Sequence, residues 1–101
     1  MSEINYTATV AKDLEDLIPV FIKNRAKELE SLRGAIGAGD YEQLKQLGHR
    51  MKGVGNSYGF EPISEFGKTI EDAAQSADMA SIEACIANYA DYLAKVQIVY
   101  E

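Results

Sequence analysis

Apolar residues recur at intervals of three and four along nearly the whole chain, and this spacing constrains the fold more than any other feature. Such spacing places apolar side chains on one face of an α-helix, whereas a half-buried strand requires alternation with a period of two. Because no stretch alternates over a useful length, the pattern predicts an all-α protein. A chain of 101 residues is long enough for one core, so we predict a single domain over residues 1–101.

Proline, aspartate and glycine divide this pattern into four long helices. Proline suits the first turn of a helix, aspartate caps the free amides at a helix start, and glycine adopts the left-handed conformation at a helix end. The helices are predicted over residues 19 to about 36, 40–59, 62–77 and 78–100. The predicted inward face of the first helix is formed by Ile18, Ile22, Ala26, Leu29, Leu32 and Ile36, and that of the second by Leu44, Leu47, Met51, Val54 and Tyr58. The predicted inward face of the third helix is formed by Ile63, Phe66, Ile70, Ala73 and Ala77. That of the fourth is formed by Ile82, Cys85, Ile86, Tyr89, Leu93, Val96 and Tyr100.

The predicted connections between these helices are only a few residues long. Short connections place sequential helices side by side and antiparallel. We therefore predict an antiparallel up-down-up-down four-helix bundle. A short extra N-terminal helix is predicted over residues 11–17, and residues 1–10 are interpreted as a possible extended arm.

The charge balance argues against a nucleic-acid partner. The chain carries 16 acidic and 10 basic residues and a formal net charge of −6. Binding to a phosphate backbone requires a clustered positive surface. The longest uninterrupted apolar run covers only residues 18–22, so no membrane span is predicted.

The N-terminus shows no basic segment followed by an apolar one, so we expect a cytoplasmic protein, and Met1 favours a free-standing chain. The single cysteine, Cys85, lies in a helical apolar pattern and is predicted to be a reduced core residue. No additional apolar stripe is evident, so we expect a monomer.

The only histidine, His49, lies within the second predicted helix. On a helical wheel it falls nearly opposite the apolar stripe, so it is predicted to face solvent. Lys45, Lys52, Gly53 and Asn56 share its outward half. A lone exposed histidine is usually an ordinary surface residue, and this interpretation stays open at this point.

Glycine in the helix interior requires a reason, since each costs roughly 1 kcal/mol relative to alanine. Gly48 and Gly55 fall nearer the core, where close helix packing explains them. Gly53 faces outward beside His49, and Lys52 places a cation next to the ring. Imidazole is a nucleophile near neutral pH, so this combination favours transfer of a bulky anion to a docked partner.

The segment His49-Arg50-Met51-Lys52-Gly53, with Gly59 at the helix end, resembles the signature of histidine-containing phosphotransfer (HPt) domains. These domains are the shuttles of multistep two-component phosphorelays. The resemblance covers roughly residues 10–100, including the short N-terminal helix, the Gly-Asp turn before the motif and the two helices after it.

The resemblance implies that His49 accepts a phosphoryl group on Nε2, that Lys52 neutralises and orients it, and that Gly53 keeps the docking surface clear. An acid or amide on the next helix often holds the other ring nitrogen in this family, and Glu71 falls at the comparable spacing. Such a carboxylate would orient the ring. The wheel, however, points His49 away from the core, whereas contact with Glu71 requires a tilt toward the neighbouring helix.

The resemblance implies a receiver domain of a response regulator and a histidine kinase as partners. The chain would be a phosphoryl carrier and not an enzyme, with no cofactor of its own and with magnesium bound only by the partner receiver. We predict that Lys45, Asn56 and Lys68 contact the partner. The alternatives are an HPt-like docking module that does not transfer phosphate, and a structural adaptor.

Overall fold

The computed structural model describes residues 6–101. Its helices are α1, Ile18–Ala38; α2, Tyr41–Ser57; α3, Glu61–Gln75; and α4, Met79–Lys95. Two short strands, β1 at Thr7–Val10 and β2 at Gln97–Tyr100, lie near the ends of the described chain, and a 3-10 helix, Lys12–Leu17, leads directly into α1.

The helices begin and end where local chemistry favours it. The Asp40 carboxylate accepts a hydrogen bond from the Gln43 backbone amide at 3.0 Å, and the Asp78 carboxylate caps α4 in the same way. Pro19 lies in the first turn of α1, where its missing N–H is not needed. Gly39, with φ of 64°, ends α1 in the left-handed conformation.

The four helices form a bundle in which α1 and α3 each contact both α2 and α4. The core between them is apolar, as the helical spacing predicts. Its fully buried members include Leu32, Leu44, Met51, Ile63, Ile70, Ile82 and Tyr89. The antiparallel direction of neighbouring helices stays a prediction. None of the helices within residues 6–101 is long and apolar enough to cross a membrane.

The two strands correct the prediction of an all-α chain. They pair in parallel, with Thr7 opposite Gln97 and Val10 opposite Tyr100. The fourth helix was predicted to continue to Tyr100 but ends at Lys95. Strands of four residues are too short to show a clear alternation in sequence, and their pairing joins residues about 90 positions apart. Of the predicted extended arm, residues 1–5 lie outside the described part of the chain, and the part at residues 7–10 is β1.

The inward face of α1 was predicted in part: Ile18 and Leu32 are buried as expected, whereas at the other four positions the buried residue is the one before the predicted residue. The buried residues are Ile18, Phe21, Arg25, Glu28, Leu32 and Ala35. Ala26, predicted to face inward, is exposed, whereas Ile22, Leu29 and Ile36 are half-buried. The apolar pattern was misleading here because an arginine and a glutamate occupy two of the buried positions.

The third helix ends earlier than predicted. It stops at Gln75, and Ala77, predicted to face inward, is exposed with φ of 55°. The Asp78 amide donates to the Ala73 carbonyl at 2.8 Å, so this tight turn closes α3 directly before the cap of α4.

Cys85 is buried, as predicted, and unpaired. Its Sγ lies 3.5 Å from the Phe66 carbonyl oxygen. Burial raises the pKa of the Cys85 thiol to about 11, so the thiol stays protonated and unreactive near neutral pH.

Candidate functional site

His49 lies on the surface of α2, and 71% of its side chain is exposed. Its neighbour Gly48 is buried, and Met51 belongs to the core. His49 therefore lies beside the buried face of α2, on which Gly48 and Met51 are found.

The α2 and α3 backbones approach each other very closely beside His49. A Cβ atom at Gly48 would lie 2.7 Å from the Gly67 carbonyl oxygen and 2.7 Å from the Glu71 amide nitrogen. A Cβ at Gly67 would lie 2.5 Å from the Gly48 carbonyl oxygen. Only glycine fits at both positions, and the absence of both side chains brings Glu71 next to the surface of α2.

A second close contact lies two turns further along α2. A Cβ at Gly55 would meet the Ser64 amide nitrogen at 2.5 Å. The buried Ser64 hydroxyl accepts a hydrogen bond from the Asn56 backbone amide at 2.9 Å. The two contacts together hold α2 and α3 in a defined register, since neither helix can slide without steric overlap.

The Glu71 carboxylate bridges His49 and Lys52. Its Oε2 lies 2.9 Å from His49 Nδ1, and its Oε1 accepts a hydrogen bond from Lys52 Nζ at 2.8 Å. Only 16% of the Glu71 side chain is exposed. His49 faces solvent, as the helical wheel predicts, and it also contacts Glu71. Both are possible because α3 approaches α2 closely enough for Glu71 to reach the ring.

Glu71 and Lys52 stabilise each other's charged form. The hydrogen bond from Lys52 is the main cause that lowers the pKa of Glu71; partial burial opposes it, and the bond to His49 adds to it. The same contact raises the pKa of Lys52. Glu71 is therefore ionised at neutral pH and can act only as an acceptor, which assigns the proton to His49 Nδ1.

This tautomer leaves the other ring nitrogen, Nε2, with a free lone pair. A neutral imidazole whose Nδ1 proton is held by a carboxylate is fixed in its orientation, with Nε2 turned away from that carboxylate. The site thus presents a nucleophilic nitrogen to solvent, next to an ammonium group that can balance an incoming negative charge.

An open depression of ≈ 520 Å³ lies beside the ring. It is lined by Glu42, Lys45, Gln46, His49, Arg50 and Glu71. Lys45 and Arg50 place positive charge at its edge, on a chain that is acidic overall. The depression is open enough to receive a surface of another molecule.

The other predicted site residues lie around this centre. Gly53 is exposed, and a Cβ at this position would have no neighbour within 4 Å among the described residues. Asn56 is exposed on α2, and Lys68 is exposed on α3 one turn before Glu71. Their contacts with a partner stay predictions.

Sequence reasoning missed Gly67 and Ser64, which decide how closely α3 approaches. A signal was present in the sequence. Small residues occur in the interior of both helices, at Gly48 and Gly55 in α2 and at Ser64 and Gly67 in α3. Small residues in two neighbouring helices indicate close backbone contact, which is also the reason that glycine is accepted there despite its low helix propensity.

The fold and the site define a class of protein: a small helical bundle that offers one solvent-exposed, carboxylate-oriented imidazole to a docking partner. The family model of the Hpt domain matches residues 8–98, and the chain belongs to this family. Hpt domains carry phosphoryl groups in two-component signalling, and membership implies interaction with histidine kinases and receiver domains. No curated protein and no solved structure gives a significant match to the chain.

Proposed function

We propose that His49 Nε2 is the phosphoacceptor and that the chain shuttles a phosphoryl group between a histidine kinase or receiver aspartate and a response regulator. The observation that carries this proposal is the 2.9 Å contact between His49 Nδ1 and Glu71 on a ring that is 71% exposed. It supports a role in which one nitrogen is held and the other is free to react.

The transfer from a receiver balances as a simple displacement. Nε2 of His49 attacks the phosphorus of the partner's aspartyl phosphate, an N–P bond forms, the P–O bond breaks, and the aspartate leaves as a carboxylate. The ring retains the Nδ1 proton and gains a positive charge, which the Glu71 carboxylate stabilises at hydrogen-bond distance. The reverse reaction passes the phosphoryl group to the next aspartate, with magnesium supplied by the receiver.

Lys52 completes the site by balancing the charge of the phosphoryl group. Its Nζ already lies against Glu71, and 44% of its side chain is exposed. A flexible four-carbon stem lets Nζ contact both the carboxylate and a phosphoryl oxygen near the ring. Gly53 leaves the adjacent surface without a side chain, which allows a partner to approach.

Phosphorylation of the purified protein tests the proposal directly. Acetyl phosphate and phosphorylated receivers serve as donors for the wild type and for a His49→Gln variant. We expect an acid-labile, base-stable phosphate that is absent from the variant and passes to a receiver, with nitrogen NMR placing it on Nε2. If several competent donors fail while a receiver still binds, the chain is a docking module that does not transfer phosphate.

Removal of the Glu71 side chain is expected to slow transfer. Carboxylates that orient metal-bound histidines contribute about 10- to 100-fold, and we expect Glu71→Ala to lose activity in the same range because Glu71 holds the His49 ring in the same way. Glu71→Gln should lose less, because its amide oxygen still accepts from Nδ1 although the charge is gone. Transfer rates from a phosphorylated receiver measure the effect, and Glu65→Gln, another exposed acid on α3, serves as the control.

Acid is expected to remove the stability that Glu71 contributes, because the pKa of Glu71 is lowered from its ordinary value of 4.5, mainly by the hydrogen bond from Lys52. Such a carboxyl stabilises the folded protein above its unfolded pKa, and this contribution is lost as the pH falls through the folded pKa. The difference in the free energy of unfolding between wild type and Glu71→Gln should therefore shrink as the pH falls below 4.5, as urea unfolding at several pH values measures. A difference that does not change in this acid range would contradict an ionised Glu71.

Gly53→Ala is expected to increase stability and slow transfer. An alanine in an open helix interior gains up to about 1 kcal/mol, because none of the residues that the structure describes lies within 4 Å of its Cβ. The same methyl group lies on the surface proposed to receive the partner. Gly34→Ala in α1 is the matched control, since its Cβ is equally open, and it should gain stability without a change in rate. Equal transfer rates for both variants would exclude a docking role of Gly53.

A further inference from the structure

Strand β2 has an outer edge that pairs with no other strand of the described residues. We propose that this edge pairs with the same edge of a second copy of the chain, in a symmetric dimer with a continuous four-stranded sheet. The proposal is independent of the phosphoacceptor role of His49, and it differs from the monomer expected from the sequence.

The outer edge of β2 carries backbone groups that have no partner. The Gln97 and Glu101 amides donate to carbonyl groups on the β1 side at 2.8 and 3.0 Å. Successive residues of a strand point their N–H and C=O groups to opposite sides, so Ile98 and Tyr100 point theirs away from β1. Within residues 6–101, no group accepts a hydrogen bond from either of these two amides. Such a row of free donors and acceptors is a template for another strand.

The opposite edge of the sheet is covered, whereas that of β2 is not. A Cβ at Gly59, in the turn after α2, would lie 2.7 Å from the Thr9 carbonyl oxygen of β1. No other helix or strand of the described chain runs along β2. The strand also lacks the charged residues and prolines that commonly block a free edge, and its Val99 is 47% exposed.

The backbone of β2 is self-complementary in an antiparallel arrangement. A two-fold axis at Ile98 places this residue opposite Ile98 of the second copy, and it places Val96 opposite Tyr100. Each Ile98 amide then donates to the Ile98 carbonyl of the other copy, and each Tyr100 amide donates to a Val96 carbonyl. Val96 is extended, with φ of −63° and ψ of 130°, and its own amide already donates to the Tyr92 carbonyl. This register therefore gives every outward amide of both strands an acceptor.

The side chains of β2 match in the same register. Val96, Ile98 and Tyr100 are half-buried and share the inner face of the sheet, so the dimer pairs apolar residues with apolar residues. At both ends, Glu101 of one copy comes next to Lys95 of the other, so opposite charges meet. A shift of the two-fold axis by one residue in either direction would leave one of the three apolar residues without an opposite partner and would separate the charges. The side chains thus favour a second copy as the occupant of this edge.

Sedimentation equilibrium and amide hydrogen exchange test the proposal on the unaltered chain. A contact of one short strand per copy is small, so we expect a weak dimer that forms between micromolar and millimolar concentration. Exchange of the Ile98 and Tyr100 amides should slow as the concentration rises, because dimerisation gives them acceptors. The Gln97 and Glu101 amides, already bonded on the β1 side, should be protected at every concentration.

Ile98→Pro and Ile98→Val are the matched variants. Proline removes the outward N–H and leaves the pairing with β1 in place, since an edge strand accepts proline where the amide faces away from its neighbour. We expect Ile98→Pro to raise the dissociation constant of the dimer at least about tenfold, because symmetry removes two hydrogen bonds at once. Ile98→Val keeps the amide and should change the constant much less.

Three results would overturn the proposal. The first is a chain that stays monomeric up to about 1 mM. The second is a dimer that Ile98→Pro leaves unaltered, because it would use another surface. The third is exchange of the Ile98 and Tyr100 amides that does not depend on concentration, a result that the wild type gives whether or not the proline variant folds.

Discussion

Gly67→Ala is expected to destabilise the protein by about 1–3 kcal/mol, although alanine is the better helix former. The new Cβ would lie 2.5 Å from the Gly48 carbonyl oxygen and 2.6 Å from the Lys52 amide nitrogen. Both are backbone atoms of α2, so the overlap is relieved only if the helices separate. Separation would also move Glu71 away from His49, and we expect phosphoryl transfer to slow together with the loss of stability.

Urea unfolding of Gly67→Ala beside Gly34→Ala and Gly53→Ala measures this prediction. The three substitutions are chemically identical and differ only in the space around the new methyl group. Gly34→Ala and Gly53→Ala should raise the free energy of unfolding, whereas Gly67→Ala should lower it. If Gly67→Ala were as stabilising as Gly34→Ala, the close contact between α2 and α3 would be wrong, and with it the reason that Glu71 reaches His49.

Glu28→Gln is expected to lower the free energy of unfolding by about 3 kcal/mol. Removal of one member of a buried ion pair leaves the other charge uncompensated, which typically costs about 3–5 kcal/mol. The side chains of Arg25 and Glu28 are 10% and 5% exposed, so water cannot replace the lost partner. The lower end of the range applies, because glutamine can still accept the hydrogen bond from Tyr89.

An Arg25→Met/Glu28→Gln double variant separates two effects of Glu28→Gln. One is the loss of the ion pair, and the other is the cost of leaving the Arg25 charge buried without a partner. Replacing both members of a buried ion pair with neutral groups of similar volume is often neutral for stability, because the desolvation of two charges offsets their attraction. The double variant should therefore be more stable than Glu28→Gln alone. Additive losses from the two single changes would show instead that each residue stabilises the fold independently.

Much of the helical framework was predictable because its signals are local. Asp40 and Asp78 cap helices as expected, and Gly39 ends α1. Where the prediction was wrong, distant residues decide the structure. The strands depend on pairing between the two ends of the described chain, and the face of α1 depends on Arg25 and Glu28, whose charges make them look exposed in a sequence.

The sequence by itself determined that His49 faces solvent, since its position relative to the apolar stripe of α2 follows from 3.6 residues per turn alone. Only the tertiary structure decided that Glu71 holds this ring and pairs with Lys52. That contact joins residues 22 positions apart and depends on how closely two helices pack. The packing distance is determined by Gly48 and Gly67, whose missing side chains matter only once α2 and α3 lie against each other.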